Sequence, residues 1–458
     1  MPAPCGRFVP QTPDKGVVFM KLDTRRTVRI GLAFLSILAF WQFYDQVIPH
    51  ILENVFGLST FTTNAIMSVD NILALFMLPL FGSLSDRTHT KLGRRTPYIL
   101  FGTLAAAALM CALAWTEKSR NFPLFLTFLL LLLVVMSTYR SPAVAYMPDV
   151  TPKPLRSRAN AIINLVGYVG GIFSTVMMML LLQSEKAPDG SSYYPPDQSF
   201  TPIFLVVAGV MVLSVLILVL TTRENKLVEQ TREEVAAWEH SGADAVQTKS
   251  GKLPAPQKKS LILILLSVFL WYTAYNAVTT AFSRYCVAVW GVDLSVSSGF
   301  LMAATVAAIA AFLPLGALSG RVGRKKTVQL GILLMTGCYA AAIFLTHRTP
   351  LMYLLFALVG IGWAAINVNS FPMVVEMSSQ GDTGKYTGYY YAFSMAAQIF
   401  TPLLSGLLID KAGLGYRVLF PYAVVFSLLS LCTISQVKHG DSKPLPKKDK
   451  LEAFDVGD

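Results

Sequence analysis

The chain has 458 residues, of which 54% are hydrophobic and 14% charged, where a soluble domain carries about a quarter charged. The net charge of +12 does not indicate a nucleic-acid partner. The Lys and Arg sit between long apolar runs instead of interleaving with aromatics on one face, which is the pattern that membrane topology imposes. These proportions exclude a soluble globular domain and indicate an all-α polytopic membrane protein whose surroundings are the lipid bilayer.

A basic N-terminal segment, 1–27, leads into the first apolar run. No small-residue cleavage site follows, so it is not a cleavable signal. Apolar runs of about twenty residues, the length that spans a hydrocarbon core, predict helices over 28–49, 61–84, 97–115, 122–147, 159–182 and 202–221. The stretch 222–259 is polar and reads as a linker with a surface helix over 228–240. Six more helices follow at 260–283, 295–319, 327–346, 351–375, 384–409 and 418–435, then a Lys-rich tail, 436–458. The domains are therefore two six-helix bundles, 28–221 and 260–435, with the linker and both termini outside them.

Basic residues gather on one side: the N-terminus, the Arg87–Arg95 loop, Lys153, Arg156 and Arg158, the linker, Arg321–Lys326 and the tail. Both termini and the linker are thereby expected in the cytoplasm. Short outer loops without N-x-S/T sequons point to a bacterial inner (plasma) membrane. The five cysteines show no metal-ligand spacing and read as small hydrophobes. No cofactor is implied, and the chain is expected to be monomeric.

The chain contains a repeat. Residues 82–97 read G-S-L-S-D-R-T-H-T-K-L-G-R-R-T-P, and 316–326 read G-A-L-S-G-R-V-G-R-K-K. A shift of 227 also lays Asp149 on Glu376, each an acid closing the fourth helix of its half. Parallel six-helix repeats are a transporter architecture.

The G-x-x-x-D-R…G-R-R hairpin with twelve spans resembles the major facilitator superfamily over nearly the whole chain. The longer spacing S-D-R-x-x-x-x-x-G-R-R-x-P-Y-I, the stretch R-S-R-A-N-A…V-G-Y-V-G-G (156–171) and W-Y-T-A-Y-N-A-V (271–278) are similar to the sucrose–proton symporter branch. That branch neighbours the glycoside–pentoside–hexuronide cation symporters. The resemblance implies a secondary active transporter that moves a sugar or glycoside with a proton by alternating access. It also implies that Asp86, Arg87, Gly93, Arg94, Arg95, Asp149, Arg321 and Arg324 form a cytoplasmic gate, with Asp86 on the N-terminus of the eleventh helix. The sequence departs from the pattern in places. Plant members have an Arg two residues after the fourth-helix Pro, where Val144 stands, with Arg140 one turn before. Melibiose-type carriers place sodium-binding Asp residues where Ala74 and Leu78 stand, which favours protons over sodium. Gly320 replaces the second hairpin's Asp, so that hairpin is expected to latch more weakly.

Ionisable residues inside a membrane cost roughly 2.5–3.5 kcal/mol and are functional candidates by default. Asp45, Asp70 and Arg140 are the proton-coupling candidates. The bland alternatives are exposure at the outer helix end for Asp45, an acceptor role toward the eleventh helix for Asp70, and snorkelling for Arg140. Substrate-binding candidates are Trp41, Gln42, Tyr44, Asn164, Tyr168, Trp271, Tyr272, Tyr275, Asn276, Asn367, Asn369, Tyr391 and Gln398. For each of these, interhelical glue is the competing reading. A sodium-coupled glycoside symporter, or a proton-coupled antiporter of a drug or other polar metabolite, are the alternatives. An enzyme is disfavoured because the five histidines lie near helix ends, loops or tails, with no H-E-x-x-H or G-x-S-x-G. No G-x-x-x-x-G-K-[ST] supports an ATP-driven pump.

Overall fold

The computed structural model describes residues 22–182, 185–186, 192–193, 199–240, 254–291, 294–345, 347–378, 382–411 and 413–441. The expectations for 1–21 (with Cys5), for the linker beyond 240 up to 253 and for the tail from 442 lie outside the described residues.

The first half runs through α1 (Thr24–His50), α2 (Thr60–Met67), α3 (Val69–Arg87), α4 (Thr96–Lys118), α5 (Phe122–Asp149), α6 (Arg156–Leu181) and α7 (Thr201–Thr221). A polar helix, α8 (Glu224–His240), follows. The second half is α9 (Ala255–Tyr285), α10 (Leu294–Val322), α11 (Arg324–Ile343), α12 (Leu351–Glu376), α13 (Thr383–Gly406) and α14 (Leu419–Ser435). Among the described residues, 12 helices are long and apolar enough to cross a membrane, with α2 and α3 together supplying the second span. Glu185 and Lys186 pair antiparallel with Tyr193 and Ser192 in the loop before α7. The whole is an all-α membrane fold of two pseudo-symmetric six-helix halves. Helices satisfy their backbone internally, as lipid requires.

The helices overshoot the apolar runs. The run 28–49 becomes a helix from Thr24 that continues as a π-turn, Ile51–Val55. The span expected over 97–115 reaches Lys118, and that over 122–147 reaches Asp149. Apolar runs mark only the hydrocarbon layer. The helices carry on into the interface, where local caps end or start them: Asp23 Oδ1 accepts the Arg26 N–H at 3.0 Å, and Asn121 Oδ1 that of Leu124 at 3.2 Å.

Within the halves, α1 packs along α6, α4 against α5 and α7, α9 against α14, and α12 between α10 and α11. Across the halves, α3 lies along α13 and α6 along α10. The α3–α13 contact depends on Gly82 and Gly384. A Cβ on either would collide with the other's carbonyl, so only glycine lets the two backbones touch.

Candidate functional site

Two sets of polar residues stand out: one midway along the spans between the halves, the other at the end carrying the 82–97 hairpin.

The middle set forms around Arg140 of α5. Its guanidinium carbon lies 5.2 Å from the ring centre of Trp41 on α1 and 5.2 Å from that of Tyr391 on α13. One cation thus sits between aromatic faces from opposite halves, an arrangement worth roughly 0.5–2 kcal/mol per contact. Arg140 stands mid-helix and is stacked, not extended to the interface. Asp45 and Asp70 lie within electrostatic reach of Arg140 and of each other. Among the described residues, no ion pair within 4.0 Å includes any of the three. Asp45 is solvent-exposed, nearer the end of the first span that lies away from the hairpins. Asp70 accepts a 2.8 Å hydrogen bond from Asn71 of its own helix, and none from α13 among the described residues.

Aromatics extend this site in both directions. Trp41 meets Tyr44 edge-on at 5.3 Å, and both bury a polar atom without a hydrogen-bond partner, Nε1 and OH respectively. On the other side Tyr391 packs edge-on against Tyr390 at 5.4 Å, and Tyr390 shares a 3.0 Å hydrogen bond with Ser370. Tyr272 lies against both tyrosines and stacks on buried Trp271 at 3.9 Å. A second aromatic group joins the halves through Tyr168 on Phe312 (5.5 Å), Phe312 on Trp363 (5.8 Å) and Trp363 stacked on Tyr275 (5.9 Å). Asn276 of the same helix buries an unbonded Nδ2.

Other sequence candidates fall elsewhere. Gln42 faces α6, where its Oε1 lies 3.8 Å from the position a Cβ on Gly171 would take. Asn164 donates to the carbonyl and side chain of Asn160, and Asn369 to the Ala365 carbonyl of its own helix. Asn367 offers its backbone carbonyl to Asn160, and Gln398 contacts Met395 one turn away. Sequence reading missed Tyr390, Ser370, Phe312 and Trp363. Trp363 stands one turn before Asn367 and carried the same signal as the aromatics that were selected.

At the hairpin end, Gly93 takes φ +115°, which only glycine adopts freely, and aims Arg94 and Arg95 inward. Arg95 is fully buried. It donates to Asp149 at 2.8 Å, to Asp86 at 2.5 Å and to Ser85 Oγ, while Arg94 pairs with Asp149 at 2.8 Å. Burial opposes the Arg95 charge, but Asp149 and Asp86 outweigh it and hold its pKa above the ordinary value. Asp86 then accepts the Gly384 and Lys385 N–H groups, each at 2.8 Å, at the start of α13. The carboxylate meets the positive end of that helix across the halves.

The second hairpin repeats the design with different parts. Gly323 has φ +99°. Buried Arg324 pairs with Glu376 at 2.8 Å and reaches across the halves to Ser157 Oγ at 2.8 Å and to the Lys153 carbonyl. Arg156 joins from the first half, 3.6 Å from Glu376. Gly320 supplies no carboxylate, yet the arginine itself makes the crossing. Asn160 adds bonds to the Asn367 and Val368 carbonyls at 3.2 and 2.9 Å. Arg87 and Arg321 are exposed and stand outside both clusters. Arg156, Glu376 and Glu224 were not among the sequence candidates. Glu224 accepts the N–H groups of Arg94, Arg95 and Thr96 at 2.8–3.0 Å. Hydrogen bonds between the halves gather at this end among the described residues.

The family model for MFS/sugar transport protein matches residues 30–435. Among solved structures, the chain is similar to the E. coli fucose:proton symporter FucP, with 15% identity, TM-score 0.65, and coverage of 91% of this chain and 99% of that one. It is also similar to the proton:xylose symporter XylE bound to 6-bromo-6-deoxy-D-glucose (15%, 0.63, 94% and 98%). The human organic anion transporter MFSD10 is another such structure (17%, 0.63, 91% and 100%). At these identities the likeness is one of fold.

Proposed function

The chain belongs to the MFS/sugar transport protein family, and from that premise we propose that it carries a neutral sugar or glycoside with a proton by alternating access. The two halves, 28–221 and 260–435, are the bodies that rock about the midplane site. The side with the hairpins is cytoplasmic, by its Lys and Arg content. The conformation described is then closed toward the cytoplasm.

The observation that carries this reading is Arg140 stacked between Trp41 and Tyr391 with Asp45 and Asp70 in reach. Indole and phenol faces suit the apolar C–H face of a sugar ring, and carboxylates accept hydrogen bonds from its hydroxyls. The charges supply the coupling. Two carboxylates and one guanidinium sum to one negative charge, and burying an uncompensated charge is costly. One proton makes the trio neutral, so the site can close over a neutral sugar only once it is protonated. Arg140 already lies on the aromatic faces, and protonation of a nearby carboxylate leaves its N–H groups to donate to the substrate. Ala74 and Leu78 are buried with Met395 in an apolar patch, which supports a proton over a sodium ion at that point of α3.

The test is the purified protein in liposomes, challenged with disaccharides and glycosides with and without sodium. We expect one sugar to raise the external pH without needing sodium, and Asp45→Asn to abolish the effect. A pH change that survives Asp45→Asn moves the proton to Asp70. Silence across the panel, with binding of a non-sugar ligand, overturns the substrate class.

A further inference from the structure

At the hairpin end the buried acids are already engaged, and two arginines are not. Asp149 receives Arg94 and Arg95, and Glu376 receives Arg156 and Arg324. Glu224 accepts from the start of α4, and Asp441 accepts the Arg324 and Lys325 N–H groups at 2.8 and 3.4 Å. Arg158 of α6 and Arg321 of α10 make no ion pair or hydrogen bond among the described residues. Arg321 is exposed. Arg158 is half-buried, and its Nε is shut off from solvent with no hydrogen-bond partner. A buried donor left in that condition costs about 1–3 kcal/mol, and more when it belongs to a charged group. Nothing in the chain relieves it.

The two arginines stand at the α6–α10 seam, one from each half. The seam is close there: a Cβ on Gly316 would lie 2.8 Å from the Ala161 Cβ and 3.5 Å from the Arg158 Cα. Arg321 follows Gly316 by little more than one turn. Along α6, Arg158 is in line with Leu165, Val169 and Val176, and both valines are exposed. Along α10, Arg321 is in line with exposed Leu318, Pro314 and Ala310. Exposed apolar stripes on spanning helices face lipid. Each arginine therefore stands where a lipid-facing stripe reaches the polar end of its span, at the depth of the phospholipid headgroups. We propose that Arg158 and Arg321 bind a phosphate group on the lipid side of this seam, and that the phosphate belongs to the headgroup of an anionic phospholipid. A guanidinium offers paired N–H donors that match phosphate oxygens, and the Nε of Arg158 is one donor awaiting such an acceptor. The acyl chains then lie along the two apolar stripes. The site rests on the membrane fold, not on the substrate or the coupling ion.

The test is lipid binding to the full chain in detergent, where no membrane surface potential attracts anionic lipid in general. Phosphatidylglycerol is titrated against native mass spectrometry, with zwitterionic phosphatidylcholine for comparison and no sugar present. We expect phosphatidylglycerol to be retained in preference to phosphatidylcholine. Arg158→Ala and Arg321→Ala are each expected to weaken that retention about fivefold, the loss that one arginine at an anionic headgroup brings. Arg232→Ala, exposed on α8, removes the same charge away from the seam and should leave retention unchanged. Arg321→Ala, at an exposed position, keeps the test decisive if Arg158→Ala does not fold. Equal retention of the two lipids overturns the proposal, as does unchanged retention in the folded seam variants or an equal loss in Arg232→Ala. Inorganic phosphate is added as a competitor. Displacement of the lipid by it at equal concentration assigns the arginines to a soluble phosphate and overturns the lipid; failure to displace supports the headgroup. Because binding is read without sugar, a failed sugar panel leaves this result standing, and the reverse holds as well.

Discussion

Arg140 is the residue on which the proposed coupling turns, and its geometry makes a demand that charge alone does not meet. A guanidinium is planar and stacks on rings; an ammonium does not stack in that way and holds its water more tightly. Arg140→Lys is therefore expected to keep the charge and lose the fit between Trp41 and Tyr391. Sugar-dependent uptake should show at least a roughly tenfold higher KM, with the protein still folded. An unchanged KM would remove the stacking from the mechanism. Asp45, Asp70 and Arg140 were legible in the sequence because a charge within an apolar run stands out by its cost. Gln42, Asn164 and Gln398 were not separable from cavity residues in the same way. Their side chains serve neighbours on α6 or on their own helices, and which face of a buried helix meets a cavity depends on packing that no single helix encodes.

Among the elements, the pairing of α3 with α13 is the most sensitive to small changes. Gly384 has the Gly82 carbonyl on one side and the Arg95 guanidinium on the other, so a methyl group has nowhere to go. Gly384→Ala should force the two helices apart, an overpacking cost of about 1–3 kcal/mol. Because that contact belongs to the closed hairpin end, the expected result is a population shifted toward opening there, with slower net transport. Distances between spin labels on α3 and α13 would measure it, and labels that do not separate would refute it. Span number and order were readable from hydropathy because twenty apolar residues fit few other structures. Helix ends were not, since Glu224 and Asp441 act across more than a hundred residues of sequence, far outside any local capping pattern. The same distance hid the compensation for Gly320: the expected weak latch lacks its carboxylate, but Arg324 reaches Ser157 from a neighbouring loop position.

At the scale of the molecule, the repeat of Gly82–Arg95 at Gly316–Lys326 pointed to two like halves, and the structure arranges them so. The copies have diverged in how they cross to each other, one through Asp86 on a helix end, the other through Arg324 and Arg156 on Glu376. They have kept in common the acid that follows the last span of each. Each bundle therefore carries within its own stretch of chain the group that completes its own hairpin. A cut placed between 241 and 253 would leave Glu224 with the first fragment and Asp441 with the second. Co-expressed as two polypeptides, the fragments are expected to fold separately, find each other in the bilayer and regain uptake, whereas a cut between Thr221 and Glu224 should not restore it. The protein is in this sense two self-finished parts, joined by a tether whose continuity matters less than the few residues at its start.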